Sequence, residues 1–263
     1  MPEGPVNRME RAEIWGKLSE APDIREKVSV FRQMIPKRVE TIVDVGCGDG
    51  AITNALGRQW SVTGVDSSRE ALKYVTTEAV LANARELPFA DASFDLAMTS
   101  QMLEHLDDAT YRAALGELRR VAREYLLISV PYAEDLGMRM IRCPRCGLRQ
   151  HVWGHVRRFT SGSLIRDLGE FGPVNTRIFG DMQDPAWPRP LLWIVHNIFG
   201  GWYTTEGQHS QCAGCGNADF SDMRTFPPYL DLLKRATDRL RSKGRHPFWL
   251  AVLARRRSSA EPV

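Results

Sequence analysis

No stretch of the 263-residue chain stays apolar long enough to cross a bilayer, so no membrane-spanning helix is expected. The opening Met1-Pro-Glu-Gly-Pro5 lacks the basic-then-apolar layout of a secretory signal, and the expectation is a cytoplasmic protein. A large charge of either sign is also missing. The formal net charge of +3 gives no reason to expect nucleic acid or another polyanion as partner. Internal repeats are absent, apart from one doubled cysteine motif. Cysteine itself is scarce: four of the five residues form two CxxCG pairs, a metal pattern more than a disulfide framework. What remains, 43% apolar and 25% charged residues, suits one large domain or one domain with a sizeable insertion. Nothing in these totals sets the oligomeric state.

The chain is organised around Thr41-Ile-Val-Asp-Val-Gly-Cys-Gly-Asp-Gly50. Ile42, Val43 and Val45 form a short β-branched run that turns abruptly into glycine, as a buried strand does when it ends in a tight loop. Residues 51–56 can then start a helix. Gly46, Gly48 and Gly50 leave no Cβ between the backbone and a ligand lying at the helix N-terminus. A second strand over 61–65 delivers Asp66, whose carboxylate can take both hydroxyls of a ribose. Ligands of open α/β sheets sit at the carboxyl ends of the strands.

The spacing Asp44-x-Gly46-x-Gly48-x-Gly50 is not the GxGxxG of dinucleotide enzymes. It resembles motif I of the class I S-adenosylmethionine (SAM)-dependent methyltransferases. Leu87-Pro-Phe-Ala-Asp-Ala-Ser-Phe-Asp95 and Ser100-Gln-Met-Leu-Glu-His-Leu106 resemble the later motifs of the type 11 branch, in the same order, over residues 40–131. The resemblance implies an α/β, Rossmann-like fold: a seven-stranded, mostly parallel sheet with helices on both faces and its seventh strand antiparallel. It also implies roles. Asp44, Gly46, Gly48 and Gly50 shape the methionine and ribose pocket, and Asp66 with Ser67 meets the ribose. Asn83-Ala84 stands where relatives carry Asp-Ala against the adenine, with an amide oxygen in place of the carboxylate. Glu104 and His105 fall beside the methyl group. N-terminal helices, expected here over 8–18 and 24–35, cover the cofactor in such enzymes.

The remaining elements follow in order. A helix begins at Ser67 or Ser68 and runs through Val75, a third strand covers 80–83 and a fourth 94–99. An amphipathic helix over 109–121 carries Arg112, Arg119, Arg120 and Arg123 on a solvated face, and a fifth strand covers 125–130. A helix over 157–171, capped by Thr160 or Ser161, precedes strand six (174–179) and strand seven (248–254). The expected organisation is therefore 1–131 as N-terminal helices and cofactor core, and 132–156 as insertion one. Residues 157–180 add a core helix and strand, 181–246 form insertion two, and 247–263 give the last strand and a basic tail. Connections as long as the two insertions normally carry function or structure of their own.

Cys143-Pro-Arg-Cys-Gly147 lies in the first insertion and Cys212-Ala-Gly-Cys-Gly216 in the second. Each turn can offer two thiolates to one tetrahedral ion. Both insertions leave from the carboxyl-end rim of the sheet, which puts Cys143, Cys146, Cys212 and Cys215 on one side, as ligands of a structural zinc that staples a lid. Iron on the same thiolates is the chemical alternative. Cys47, inside the glycine loop, reads as a small buried hydrophobe. In His151-Val-Trp-Gly-His155-Val-Arg-Arg-Phe-Thr160, Gly154 argues against a regular helix. Relatives carry His-x-Arg-x-Phe here near the acceptor, which makes His155 the first candidate for a general base and His151 a spare ligand or lid residue. His105 and His155 are each equally readable as structural. Trp187, Trp193, Trp202 and Tyr203 can build the insert's core or floor an acceptor pocket.

The leading reading is methyl transfer to an oxygen or nitrogen of a small molecule, such as a saccharide or specialised metabolite. Two alternatives stand beside it, an RNA methyltransferase with a zinc module and a non-catalytic zinc-stabilised binding module. The sequence leaves the acceptor unnamed.

Overall fold

The computed structural model describes residues 22–183, 193, 212–217, 219 and 245–257. The expected helix over 8–18, Trp187, Trp202, Tyr203 and residues 258–263 lie outside the described residues; Trp193 is exposed. The described chain divides into two compact units. One, the sheet unit, holds 22–133, 157–180 and 248–257. The other, the cysteine unit, holds 134–156 with the described parts of 181–247.

In the sheet unit, α1 (Pro22–Met34) leads into β1 (Thr41–Val45), α2 (Ala51–Leu56), β2 (Ser61–Asp66), α3 (Arg69–Leu72) and β3 (Glu78–Leu81). Then come β4 (Phe94–Ser100), α4 (Asp108–Val121) and β5 (Ala122–Pro131). In the cysteine unit, β6 (Met140–Arg142) and β7 (Arg149–His151) form a hairpin. The chain returns to the sheet unit as α5 (Ser161–Asp167) and β8 (Phe171–Phe179), pairs β9 (Met182–Gln183) with β10 (Arg245–His246) in the cysteine unit, and ends in β11 (Trp249–Arg256).

The main sheet has the order β3-β2-β1-β4-β5-β11-β8. Its first five strands are parallel, and β11 runs antiparallel to both β5 and β8. This is the Rossmann-like, seven-stranded sheet with an antiparallel seventh strand that the sequence resemblance implies. Alternation along the strands builds a core on each face. Val43, Val45, Leu126, Ile128, Leu250 and Val252 pack on one side with Leu115 and Leu118 of α4 and Leu164 of α5. Ile42, Leu127, Ala251 and Leu253 pack on the other with Val28 and Phe31 of α1 and Leu56 of α2. Strand order reverses at β1: β2 lies on one side and β4 on the other. The carboxyl end of β1 is thus the switch point where such sheets bind ligands.

Some expectations need correction. The third strand is Glu78–Leu81 rather than 80–83, an edge strand too exposed to leave a hydrophobic pattern. The helix after Asp66 stops at Leu72, well short of Val75. α5 ends at Asp167, and β8 starts at Phe171, earlier than Val174. The arginines of α4 are not merely a solvated face. Arg120 bonds Glu117, Asp91 and the carbonyls of Leu87 and Phe89 and so fastens the loop before β4, while Arg123, at the start of β5, reaches Asp95 in β4. Nor are Arg255 and Arg256 a loose tail. Both lie in β11, and Arg256 bonds the carbonyls of Arg119 and Ala122 at the end of α4. Among the described residues no helix is long and apolar enough to cross a membrane.

Candidate active site

At the end of β1 the chain turns at Gly46, with φ at 76°. A Cβ there would lie 2.6 Å from Met102 Sδ, so both the conformation and the space demand glycine. The N–H groups of Gly46 and Cys47 donate to the Val65 carbonyl at 2.8 and 3.0 Å, pinning the loop to β2. The Gly48 N–H donates to one Asp66 oxygen at 2.9 Å and the Ser68 N–H to the other at 2.8 Å. Loop and carboxylate are one assembly. Each carboxylate oxygen keeps a further lone pair for a ligand hydroxyl. Gly50 follows, immediately before α2.

Asp44 is buried beneath this loop. One oxygen accepts the Thr53 hydroxyl at 2.7 Å; Oδ1 has no hydrogen-bond partner among the described residues. Burial drives its pKa up, the Thr53 bond opposes this, and nearby Asp66 adds to it, leaving the carboxyl at about 6. A buried carboxylate oxygen without a donor asks for a cationic or N–H group. Cys47 is part-buried, and burial, with Asp44 and Asp66 nearby, pushes its thiol up and keeps it protonated. Of the two serines, Ser68 is buried and caps α3, while Ser67 is exposed beside Asp66. At the end of β3, Asn83 Oδ1 accepts the Arg85 N–H at 3.0 Å, and Ala84 packs against the core.

Glu104 and His105 occupy a single helical turn (Leu103–His105) after β4. Gln101 enters it at a φ of 58°, an uncommon conformation for glutamine of the kind that clusters at functional sites. Glu104 is fully buried and His105 half-buried. Lys27, not among the candidates from the sequence, is equally buried. Its Nζ bonds Asp23 at 2.9 Å and lies 3.5 Å from the centre of the Trp249 ring. Burial lowers its pKa, against the pull of Asp23, Glu104 and Glu26. Its place three residues after Ile24, on the inward face of α1, was a signal for this.

The third catalytic candidate, His155, belongs to the cysteine unit. Gly154, with φ at 77° and its N–H on the His151 carbonyl at 2.9 Å, makes the turn that folds His155 back under His151. The two rings stack with centroids 4.7 Å apart. Both histidines are buried, and between them lies Glu134, also buried and also missed in the sequence. His155 Nδ1 stands 2.5 Å from one Glu134 oxygen, and His151 Nε2 stands 3.4 Å from the other.

In the same unit Cys143 and Cys146, from the β6–β7 hairpin, meet Cys212 and Cys215. The four sulfurs lie within 4.8 Å of one another, with Cys143–Cys215 at 3.5 Å and Cys146–Cys212 at 3.4 Å. All four are free thiols. Thiolates about 2.3 Å from a tetrahedral ion stand about 3.8 Å apart, so the donor set fits one such ion. The two turns are built alike: Gly147 N–H to Cys143 O and Gly216 N–H to Cys212 O, both at 2.9 Å. Burial opposes ionisation of Cys143, but the N–H groups of Cys146 and Arg145 and the neighbouring thiols outweigh it and bring its pKa to about 7.

The sequence profile of the methyltransferase domain family matches residues 42–124. O-methyltransferase resE of Aspergillus sclerotiorum is 34% identical over 195 residues, covering 64% of this chain and 71% of that protein. O-methyltransferase rstn1 of Aspergillus nomiae is 36% identical over 99 residues, covering 33% of this chain and 43% of the relative, less than half of its length. Among solved structures, a Burkholderia thailandensis 1,6-didemethyltoxoflavin-N1-methyltransferase, with its acceptor and S-adenosylhomocysteine bound, is similar with a TM-score of 0.51. It is 17% identical, and the match covers 91% of this chain and 80% of that one; such a likeness speaks for the fold alone.

Proposed function

The chain belongs to the class I SAM-dependent methyltransferases, and we propose that it methylates an oxygen of a small organic acceptor, a saccharide or a specialised metabolite. The observation that carries this reading is the Gly46–Gly50 loop bonded to Asp66 at the switch point, over a buried Asp44 oxygen that lacks a donor. Both curated relatives described above are named O-methyltransferases, which supports oxygen as the receiving atom.

Asp44, Gly46, Gly48 and Gly50 fit the amino-acid end of SAM, whose ammonium would answer the Asp44 oxygen. Asp66, with Ser67 beside it, would hold the ribose, and Asn83 and Ala84 the adenine. SAM supplies, when bound, a methyl already carried on a cationic leaving group. The protein's part is to align the acceptor, exclude water and remove a proton. For that last task we assign His155 as base, with Glu104 and His105 the polar candidates at the end of β4. Cys143, Cys146, Cys212 and Cys215 would hold one structural zinc tying 143–146 to 212–215; a closed four-thiolate set keeps no position for an acceptor.

Methyl-labelled SAM offered with a panel of phenols and sugars tests the reading. Label in a small hydroxylated product is expected, and a methoxy-blocked version of the same compound should stay unlabelled. Label appearing in added RNA and in no small acceptor would overturn it.

Asp44 makes the cofactor step pH-dependent. In the free protein its carboxyl holds a proton below about 6, and a cationic ligand favours the ionised form. Affinity for SAM should therefore be flat above that pH and fall by about tenfold for each unit below it. Calorimetry in buffers on either side of this pH measures the slope, and Asp44→Asn should remove it. A wild-type affinity that ignores pH would show that Asp44 does not face the cation.

A further inference from the structure

We infer that Glu134 is a positioning residue that fixes His155 in the Nδ1–H tautomer and makes its Nε2 the basic nitrogen. This rests on the assignment of His155 as base. Three observations in the cysteine unit support it. Glu134 and His155 are both buried, so water does not compete for their contact. Their Oε2 and Nδ1 atoms are in direct hydrogen-bond contact, 2.5 Å apart. Burial would raise the Glu134 pKa, but the two imidazoles facing the carboxylate outweigh it and hold the carboxyl down at about 2. An ionised carboxylate only accepts, so the proton between them sits on Nδ1.

His151 reinforces the arrangement. Its Nδ1 accepts the His155 backbone N–H at 3.3 Å, so in the neutral ring the proton is on Nε2. That proton faces Glu134 Oε1, 3.4 Å away but outside hydrogen-bond geometry. Both rings thus turn an N–H toward one carboxylate. The same assignment argues against a cation held by His151 Nε2, which has no lone pair to give in this tautomer. Arg139 Nη1, 3.9 Å from Oε1, adds a second positive group, while its guanidinium also lies over the Trp153 ring. Among the described residues of its unit, Glu134 faces His155 at contact distance, with Arg139 and His151 beyond it. The nearer carboxylate dominates and stabilises the imidazolium that forms when Nε2 takes the acceptor's proton. No other bond changes in that step: one proton moves from the acceptor hydroxyl to Nε2, and the oxygen keeps the electron pair that forms the new bond to carbon.

Nitrogen-15 NMR of the wild-type protein with labelled histidine reads the tautomer without any substitution. The expected signature is His155 protonated at Nδ1, with that proton shifted far downfield. A His155 proton on Nε2 in the wild type would overturn the inference outright. The functional arm uses Glu134→Gln, which keeps size but loses the charge, with zinc content and thermal unfolding followed in parallel. Expected are loss of the downfield proton, a fall in kcat of about 10- to 100-fold with little change in KM, and an acidic limb shifted to lower pH by about one unit or more. A Glu134→Gln protein with wild-type kcat and pH profile would reduce Glu134 to a structural group and overturn the inference. If His155→Asn turns over at the wild-type rate, His155 is not the base; the inference and the reading beneath it then both fall, whatever the tautomer.

Discussion

Replacing Cys143 or Cys212 by serine should abolish binding of the one zinc proposed for these thiols and unfold the cysteine unit, while the sheet unit should persist. The expectation follows from how each unit is held together. The sheet unit has an extensive core on each face, from Ile42, Leu96, Leu126, Leu127 and Val252 outward. The buried apolar residues described in the cysteine unit are few: Ile141, Val152 and the cysteines Cys143 and Cys212 themselves. A hairpin as short as Met140–Arg142 with Arg149–His151 is not stable alone. A structural zinc contributes on the order of 10 kcal/mol or more to such modules, far beyond what these contacts provide. Cys143 and Cys212 are the buried members of their pairs, so a serine there loses a thiolate and leaves an unbonded hydroxyl inside. Elemental analysis should find one zinc in the wild type and none in either variant. Hydrogen exchange should rise across 134–156 and stay low in β1, β4 and β5. A wild-type protein without metal, or one whose metal survives both substitutions, would end the four-thiolate assignment; a coloured protein containing iron would change only the ion.

The legible parts of this fold were those whose signal is local. β1, β4, β5 and β11 are buried on both faces, so their sequences are nearly continuous hydrophobic runs. The glycine loop and the two CxxCG turns advertise themselves by spacing, and in the fold the four sulfurs of those turns lie within 4.8 Å of one another. Where the signal weakens, so does the reading. β3, with the burial of an exposed edge, was displaced by two residues, and α3 ended where nothing in its composition stops a helix. Least legible were buried charges. Glu134 and Arg139 look like surface residues in any window, because a charge is buried by partners that only the folded chain supplies. Arg256 failed for the same reason: a run of three arginines reads as solvated until its carbonyl partners at the end of α4 are seen. His155 was a candidate from the sequence, whereas Glu134, the carboxylate in contact with it, was not.

Asp66→Ala should weaken SAM binding by about 100-fold or more, the largest loss expected from a single change in the cofactor loop. Two effects add. The carboxylate would receive two hydroxyls, each a charge-assisted bond contributing about 1.5–3 kcal/mol, and each 1.4 kcal/mol is tenfold in affinity. It also accepts the Gly48 and Ser68 N–H groups at 2.9 and 2.8 Å, so its removal frees the loop that forms the other wall of the site. Asp66→Asn separates the two contributions. An amide oxygen can still accept one of those N–H groups, but the charge is gone and the amide nitrogen faces the other donor. The Asp66→Asn protein should therefore bind SAM with intermediate affinity. The effect on folding should be small in both variants, since Asp66 is only half-buried and no core side chain is removed. Calorimetry with SAM, read beside thermal unfolding of each protein, distinguishes lost contacts from lost structure. Alanine at this position with undiminished affinity would mean that the ribose is held elsewhere, and that the Gly48–Asp66 bond serves only to close the turn.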